Sequence, residues 1–330
     1  MLTINEGYLK SPSKFKENFK SLIRDFKSRI KESFSITFEE EEIGDLILSA
    51  LRCNDFEVIK QEGKRKYVNK ENLWCWVTNK LLPNTYFLCL SDEDVLRLLI
   101  FSIEITYRMF TGETRATVTA KGFREKRRTF EEIVIDQFVG KFGEIVVKKF
   151  IEGNFPEVRL ELDWDISRDI EKHKNDIVNA NKLVSIKTSP ALAGVWAEAD
   201  ENYDYGIMVK CSVPQPLLLQ FFIEVCGFSR LIEFVEAGIP SVDGVFKNYI
   251  EEMRKRISSY KCGEIRTYLK GFLCGYFKTS KDLLVKEGDK LQYLGSVREK
   301  RYLIKINELR WKKEDWKEFL EDIGLGPIRR

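Results

Sequence analysis

Residues 129–153 constrain this chain more than any other stretch. Thr129-Phe130-Glu131-Glu132 forms a capping box, in which a hydroxyl and a carboxylate satisfy each other's backbone N–H groups. It opens a helix predicted to run to about Glu152 and to stop at Gly153. At about 100° per residue, Val134, Ile135, Phe138, Val139, Phe142, Ile145 and Val146 fill one side. The other side gathers Glu132, Asp136, Gly140, Gly143, Glu144 and Val147. A solvated face would carry lysines, not glycines and a valine. The acid-bearing face is therefore expected to press closely against another element, and Glu144 is the acid favoured to point into that contact.

The rest of the chain is read around this helix. Before it, Ser11 and Pro12 start an amphipathic helix whose apolar residues run from Phe15 to Phe34. Its other face carries Lys16, Lys20, Arg24, Lys27 and Lys31, either simply solvated or meeting phosphates. A helix is predicted from Glu42 to Arg52, short strands at 56–60 and 66–68, a capped helix from Ser91 to Phe110, and a strand at 114–120. Residues 121–128, five of them basic, read either as a linker that touches a polyanion or as a plain exposed charged turn. After the helix come predicted strands at 158–166, 183–188 and 205–213, and a short helix from Ser189-Pro190 through Glu201. Apolar helices follow from Pro214 or Pro216 to Gly238 and from Ser241 to Tyr260. Strands at 291–297 and 302–306 and a last helix from Glu314 to Ile323 close the chain. The fold class is mixed α/β, of the α+β kind, with no internal repeat.

Composition narrows the chemistry. There is one histidine, His173, among charged neighbours, so zinc hydrolases built on imidazoles and a Ser-His-Asp triad are set aside. The seven cysteines include no C-x-x-C pair and read as reduced and mostly buried. No G-x-x-x-x-G-K-[ST] loop or G-x-G-x-x-G fingerprint occurs, so no nucleotide cofactor is expected. The N-terminus lacks the apolar core of a signal peptide and no transmembrane run is present, so a soluble, cytoplasmic protein without a membrane partner is expected. Abundant Lys, Glu and Ile hint at a thermophilic source. Any catalysis must then rest on carboxylates, lysines and a bound metal.

Residues 175–190 supply such a set. They read as a hairpin: a short strand with Asp176, an Asn-rich turn at 179–181, then a β-branched strand ending in Lys187. Ser185 and Lys187, two apart, project from the same face, and Asp176 can reach the same edge. Carboxylate oxygens there can hold Mg²⁺ against a phosphate while the ammonium stabilises charge or orients the attacking water. Asp163 and Asp165 compete with Asp176 for the role of metal-binding aspartate.

This arrangement resembles the PD-(D/E)XK nuclease superfamily: Glu144 on a helix, Asp176 on the first hairpin strand, Ser185-Ile186-Lys187 on the second. Asn175 stands where the family usually has proline, and Ser185 where it has a metal-binding glutamate. One branch of type II restriction endonucleases similarly reads Ser-x-Lys and takes the missing carboxylate from the following helix. Here Glu201 lies 14 residues after Lys187 and Glu198 lies 11 after it, three apart and so on one face of the predicted helix. The resemblance covers roughly residues 129–240. It implies a restriction-endonuclease-like core, a mixed central sheet flanked by helices, with helical N-terminal additions. Residues 1–122 would be a recognition and dimerisation region and 123–330 the catalytic region with its C-terminal extension. The implied activity is Mg²⁺-dependent, sequence-specific cleavage of double-stranded DNA by a homodimer. Asp176, Glu201 or Glu198, and the Ile186 carbonyl would hold the metal, Lys187 would position the water, and Glu144 would support a second metal or the lysine. The net charge of +3 is low for a DNA-binding protein unless residues 121–128 and Arg254-Lys255-Arg256 line one cleft. The rival expectations are a non-catalytic nucleic-acid-binding protein with a degenerate core, favoured by Ser185, and a structure-specific repair nuclease.

Overall fold

The computed structural model describes residues 2–88, 93–111, 119–120, 126–164, 175–213, 248, 251 and 269–326. The expected helix at 214–238, that at 241–260 apart from residues 248 and 251, Arg254-Lys255-Arg256, Asp165, His173 and residues 114–118 and 121–125 lie outside the described residues.

In chain order, the N-terminal part holds β1 (Thr3–Ile4), α1 (Glu6–Lys10), α2 (Pro12–Asn18), α3 (Lys20–Phe34) and α4 (Glu40–Cys53). Then come β2 (Ile59–Glu62), β3 (Arg65–Val68), α5 (Lys70–Trp76), β4 (Thr85–Phe87) and α6 (Glu93–Thr111). The single helix expected from Pro12 to Phe34 breaks at Phe19, which caps both α2 and α3 with φ −109° and ψ 18°. The break costs no apolar contact, because Phe15, Phe19, Leu22, Ile23, Phe26 and Ile30 all stay buried. The basic face turns towards the acidic start of α4. Lys16 pairs with Glu41 and Asp45, Arg24 with Glu40 and Lys27 with Glu39. Those cations are thus neutralised within the chain rather than held out for phosphates.

β5 (Thr119–Ala120) and β6 (Lys126–Arg127) pair antiparallel. Next come α7 (Phe130–Asn154), β7 (Val184–Ser189), β8 (Trp196–Ala199), β9 (Tyr205–Ser212) and β10 (Lys270–Lys278). β11 (Leu284–Val285), β12 (Lys290–Leu291), β13 (Gly295–Ser296), β14 (Arg301–Lys305) and α8 (Lys313–Asp322) complete it. The central sheet has the order β4-β10-β9-β7, with β7 parallel to β9 and the other neighbours antiparallel. Its far strand β4 comes from the N-terminal part, so the proposed boundary near residue 122 does not divide the sheet: both sides of it contribute strands.

The capping box of α7 forms as read, with Thr129 and Glu132 satisfying each other's backbone. The helix is buried on both sides, by α6 and by the sheet. A methyl group at Gly143 would overlap the Thr188 hydroxyl, which itself donates to the Gly140 carbonyl at 3.1 Å. Gly143 therefore lets β7 lie directly on the helix backbone, whereas a methyl group at Gly140 would meet nothing within 4 Å.

Several expectations fail. Residues 189–201 are not a helix: Pro190 and Ala191 open a tight turn, and Trp196–Ala199 is a strand, β8, paired with β14. Val158 to Asp163 forms no continuous strand, only a bridge from Leu162 to Ile177. The run 291–297 divides into the short hairpin β12–β13. The nine-residue strand β10 lies in the middle of the sheet yet carries no strand expectation, because Gly271 and Gly275 interrupt its apolar run. A side chain at Gly271 would overlap Val146 of α7, and Gly275 (φ +132°) forms a bulge against the Arg310 backbone.

Two buried lysines link the layers. Lys270 is 1% exposed and sits 2.9 and 2.7 Å from the carboxylate oxygens of Glu42 on α4. Lys210 on β9, 2% exposed, donates to Ser49 Oγ at 2.6 Å and to the carbonyls of Leu192 and Gly194 at 2.8 Å each. Its three N–H donors are all used, although burial holds its ammonium below the usual lysine range.

Candidate functional site

Asparagine side chains build the loop that presents Asp176. Asn175 Nδ2 donates to the Lys182 carbonyl at 2.8 Å, and its Oδ1 accepts the N–H groups of Val184 (2.9 Å) and Ile177 (3.3 Å). Asn179 fastens the loop to the stretch after α7, donating to the Arg159 carbonyl at 2.9 Å and accepting the Glu161 N–H at 3.1 Å. Asp176 is thereby laid along the outer edge of β7, where its Oδ2 accepts the Ile186 N–H at 2.6 Å. The N–H and C=O of one strand residue point to the same side, so the Ile186 carbonyl faces that edge too.

The alternation of β7 then sorts its side chains. Val184, Ile186 and Thr188 turn to α7, while Ser185 and Lys187 turn to the face that carries β8. Glu144 approaches from α7 and is 7% exposed. Burial pushes its carboxyl up to about 8; the Lys141 ammonium opposes this, and the Asp176 and Asp163 charges add to it. Asp176 is also raised by burial, against the pull of the Ile186 N–H, Lys141 and Lys187. Asp176 therefore lies on this edge within the fields of Lys187 and Lys141, its charge acts on Glu144, and Asp163 acts on both acids.

Ser185 is 1% exposed and packed away from solvent. The expected partners from the following segment are misassigned. Glu198 binds Arg301 at 2.7 Å and Glu201 binds Lys300 at 2.5 Å. Asp200 is the acid that reaches Lys187, with Oδ2 2.8 Å from its Nζ. The physical reason is the strand: β8 puts Glu198 opposite β14, and Asp200 follows at its end, beside β7.

Two further residues join the site that sequence reasoning passed over. Tyr203, in the turn between β8 and β9, feels the charges of Asp176, Asp200 and Glu144. Burial chiefly, and these acids in addition, push its hydroxyl up to about 12, so it stays a proton donor. Lys141 lies three residues before Glu144, with Nζ 2.7 Å from Glu144 Oε2 and 2.5 Å from the Asp163 main-chain oxygen. The i, i+3 spacing of Lys141 and Glu144 is the signal that could have found it.

The Glu144 shift has a measurable sign. Its folded value of about 8 lies above the ordinary 4.5, so the native state holds a proton that the unfolded chain releases between them. That contribution is complete below about pH 4.5 and is lost as pH rises through about 8. In EDTA, Glu144→Gln is expected to show a shallower fall of melting temperature across this window. Its Tm relative to the native chain should rise by several degrees from the acid to the alkaline end. Parallel melting curves for the two proteins would refute the assignment.

Among the described residues, no group of three or more His, Cys, Asp or Glu side chains is gathered to hold a metal. No helix among them is long and apolar enough to cross a membrane. The described cysteines 53, 75, 211 and 274 are free, Cys75 alone of them exposed. In comparisons with known proteins, no family model, no curated protein and no solved structure matches this chain.

Proposed function

We propose that this chain is a Mg²⁺-dependent endonuclease of double-stranded DNA, built on a PD-(D/E)XK-like core and acting as a homodimer on a two-fold site. The observation that carries the reading is Asp176 at the sheet edge, bound to the Ile186 N–H and acting on Glu144 of α7 while Lys187 acts on it, in the order helix acid, loop aspartate, Ser-x-Lys strand. The crossing of α7 over a mixed sheet in which β7 and β9 run parallel supports the same core.

The donor set suits a hard cation. Magnesium takes one or two carboxylates and keeps several waters for exchange with phosphate oxygens, so a centre without three clustered acids is compatible with it. The Asp176 charge raises the proton affinity of Glu144, and the Asp163 charge raises that of both acids, a repulsion that a cation relieves. Asp176 and the Ile186 carbonyl would hold the ion, which would supply Lewis acidity at the scissile phosphate. Asp200 takes the place expected for Glu201 or Glu198, holding the Lys187 ammonium at the rim. From there Lys187 can orient a water and stabilise charge on phosphate oxygens. The Tyr203 hydroxyl adds a neutral donor on the same side.

The buried Ser185 supports a second reading, a binder of nucleic acid that has lost turnover. Incubation with supercoiled plasmid in Mg²⁺ or EDTA separates the cases. Discrete Mg²⁺-dependent fragments are expected. Intact plasmid with retained DNA binding would establish the non-catalytic reading. Cutting confined to branched or damaged DNA would establish a repair nuclease.

A further inference from the structure

We infer that the Lys141 ammonium fills the second-cation position of this centre, so that each chain binds one divalent ion and not two. The inference rests on the metal-dependent reading above and concerns how that centre is loaded.

Lys141 is held as a cation site would hold its ion. Its side chain sits on α7 and the residue is 9% exposed. Its partners are a carboxylate oxygen, Glu144 Oε2, and a main-chain carbonyl oxygen, that of Asp163. Those are the same classes of donor that a hard divalent ion takes. The ring faces of Phe101, at 5.3 Å, and Trp164, at 5.6 Å, cover the ammonium and fix it by cation–π attraction. Its charge also acts on Asp176, the proposed ligand of the first ion.

Two-metal phosphodiesterases need a second ion about 4 Å from the first, held by a further acid. Glu144 is the acid placed to do this, and it is already occupied. A divalent ion approaching the same carboxylate oxygen would meet an ammonium in surroundings with little water to screen it. The rings and the two oxygen partners hold that ammonium in place, with 10% of the side chain exposed. Lys141 therefore acts as a positioning residue: it orients Glu144 and supplies a fixed positive charge, leaving Asp176 and the Ile186 carbonyl for one exchangeable ion.

Counting bound Mn²⁺ by electron paramagnetic resonance, on the full chain without DNA, tests this. The native protein is expected to saturate at one ion per chain, and Lys141→Arg, which keeps the charge, also at one. Lys141→Gln should saturate at two. Glu144→Gln should keep the single ion with affinity within about threefold, because that carboxylate serves the lysine. Two ions in the native protein, or one in a folded Lys141→Gln, would overturn the inference while leaving the metal-dependent reading intact. A tenfold loss of affinity in Glu144→Gln would overturn it as well. Should Lys141→Gln fail to fold, the native count and the Glu144→Gln affinity still decide. No Mn²⁺ bound by any of these proteins would instead remove the metal-dependent reading itself, and this inference with it.

Discussion

Lys187→Ala is expected to lower DNA cleavage by at least a factor of about 100 to 1,000 while leaving the affinity for uncut DNA within a few-fold, as read by single-turnover cleavage and by mobility shift in Ca²⁺ or EDTA. The magnitude is that of deleting one charge-stabilising donor at a reacting centre. Truncation removes the only lysine on the Ser-x-Lys strand and, through its field, makes Asp176 still harder to ionise. The loss is chemical rather than structural, because Lys187 and Asp200 are 33% and 51% exposed and such a pair adds at most about 1 kcal/mol to folding. The variant should thus melt close to the native chain. Asp200→Asn, which frees the ammonium but leaves it in place, should have the smaller effect. Cleavage within tenfold of native in Lys187→Ala would mean the site has been misplaced.

The largest effect on stability is expected from Lys270→Met. Glu42 is 7% exposed and receives both ammonium contacts, the Ser212 hydroxyl and, at 2.9 Å, the Glu39 N–H of its own capping box. Removing the ammonium strands a carboxylate between α4 and the sheet, and breaking a buried pair in this way costs about 3–5 kcal/mol. For a chain of 330 residues that corresponds to a fall in Tm of roughly 4–7 °C. The double variant Glu42→Gln/Lys270→Met should recover much of it, because the amide still serves Ser212 and Glu39 while no charge remains buried. If calorimetry finds the single and double variants equally damaged, Lys270 acts through its shape and not its charge.

Local structure is more legible in this sequence than strand pairing is. The Thr129–Glu132 box and Gly143 of α7 can be read because a cap is determined by its own neighbours and a glycine among apolar helix residues marks a close approach. Residues 196–199, Trp-Ala-Glu-Ala, read as helix because alanine and glutamate favour it. Their burial alternates along the chain, and pairing with β14 overrides propensity. That one error displaces the third acid: counted along a helix the spacing points to Glu198 and Glu201, whereas at the end of a strand it is Asp200 that meets Lys187. β10 is illegible because its glycines look like interruptions until Val146 and the Arg310 backbone are seen lying against them. Asp176 is betrayed by its turn residues, yet Lys141 is not, since a lysine on a helix ordinarily reaches water.

The Lys210 clip bears on the order in which the molecule assembles. Ser49 donates to the Gly194 carbonyl across 145 residues of chain, and Lys210 reaches Ser49 across 161. Bringing such distant segments together costs loop-closure entropy that no nearby contact offsets. The parallel pair β7–β9, whose partners lie only about 20 residues apart, can form well before it. The turn that joins Lys187 to Asp200 is consequently among the last parts to settle, waiting on helices at the opposite end of the chain. During refolding, competence to cut should trail the recovery of helical signal.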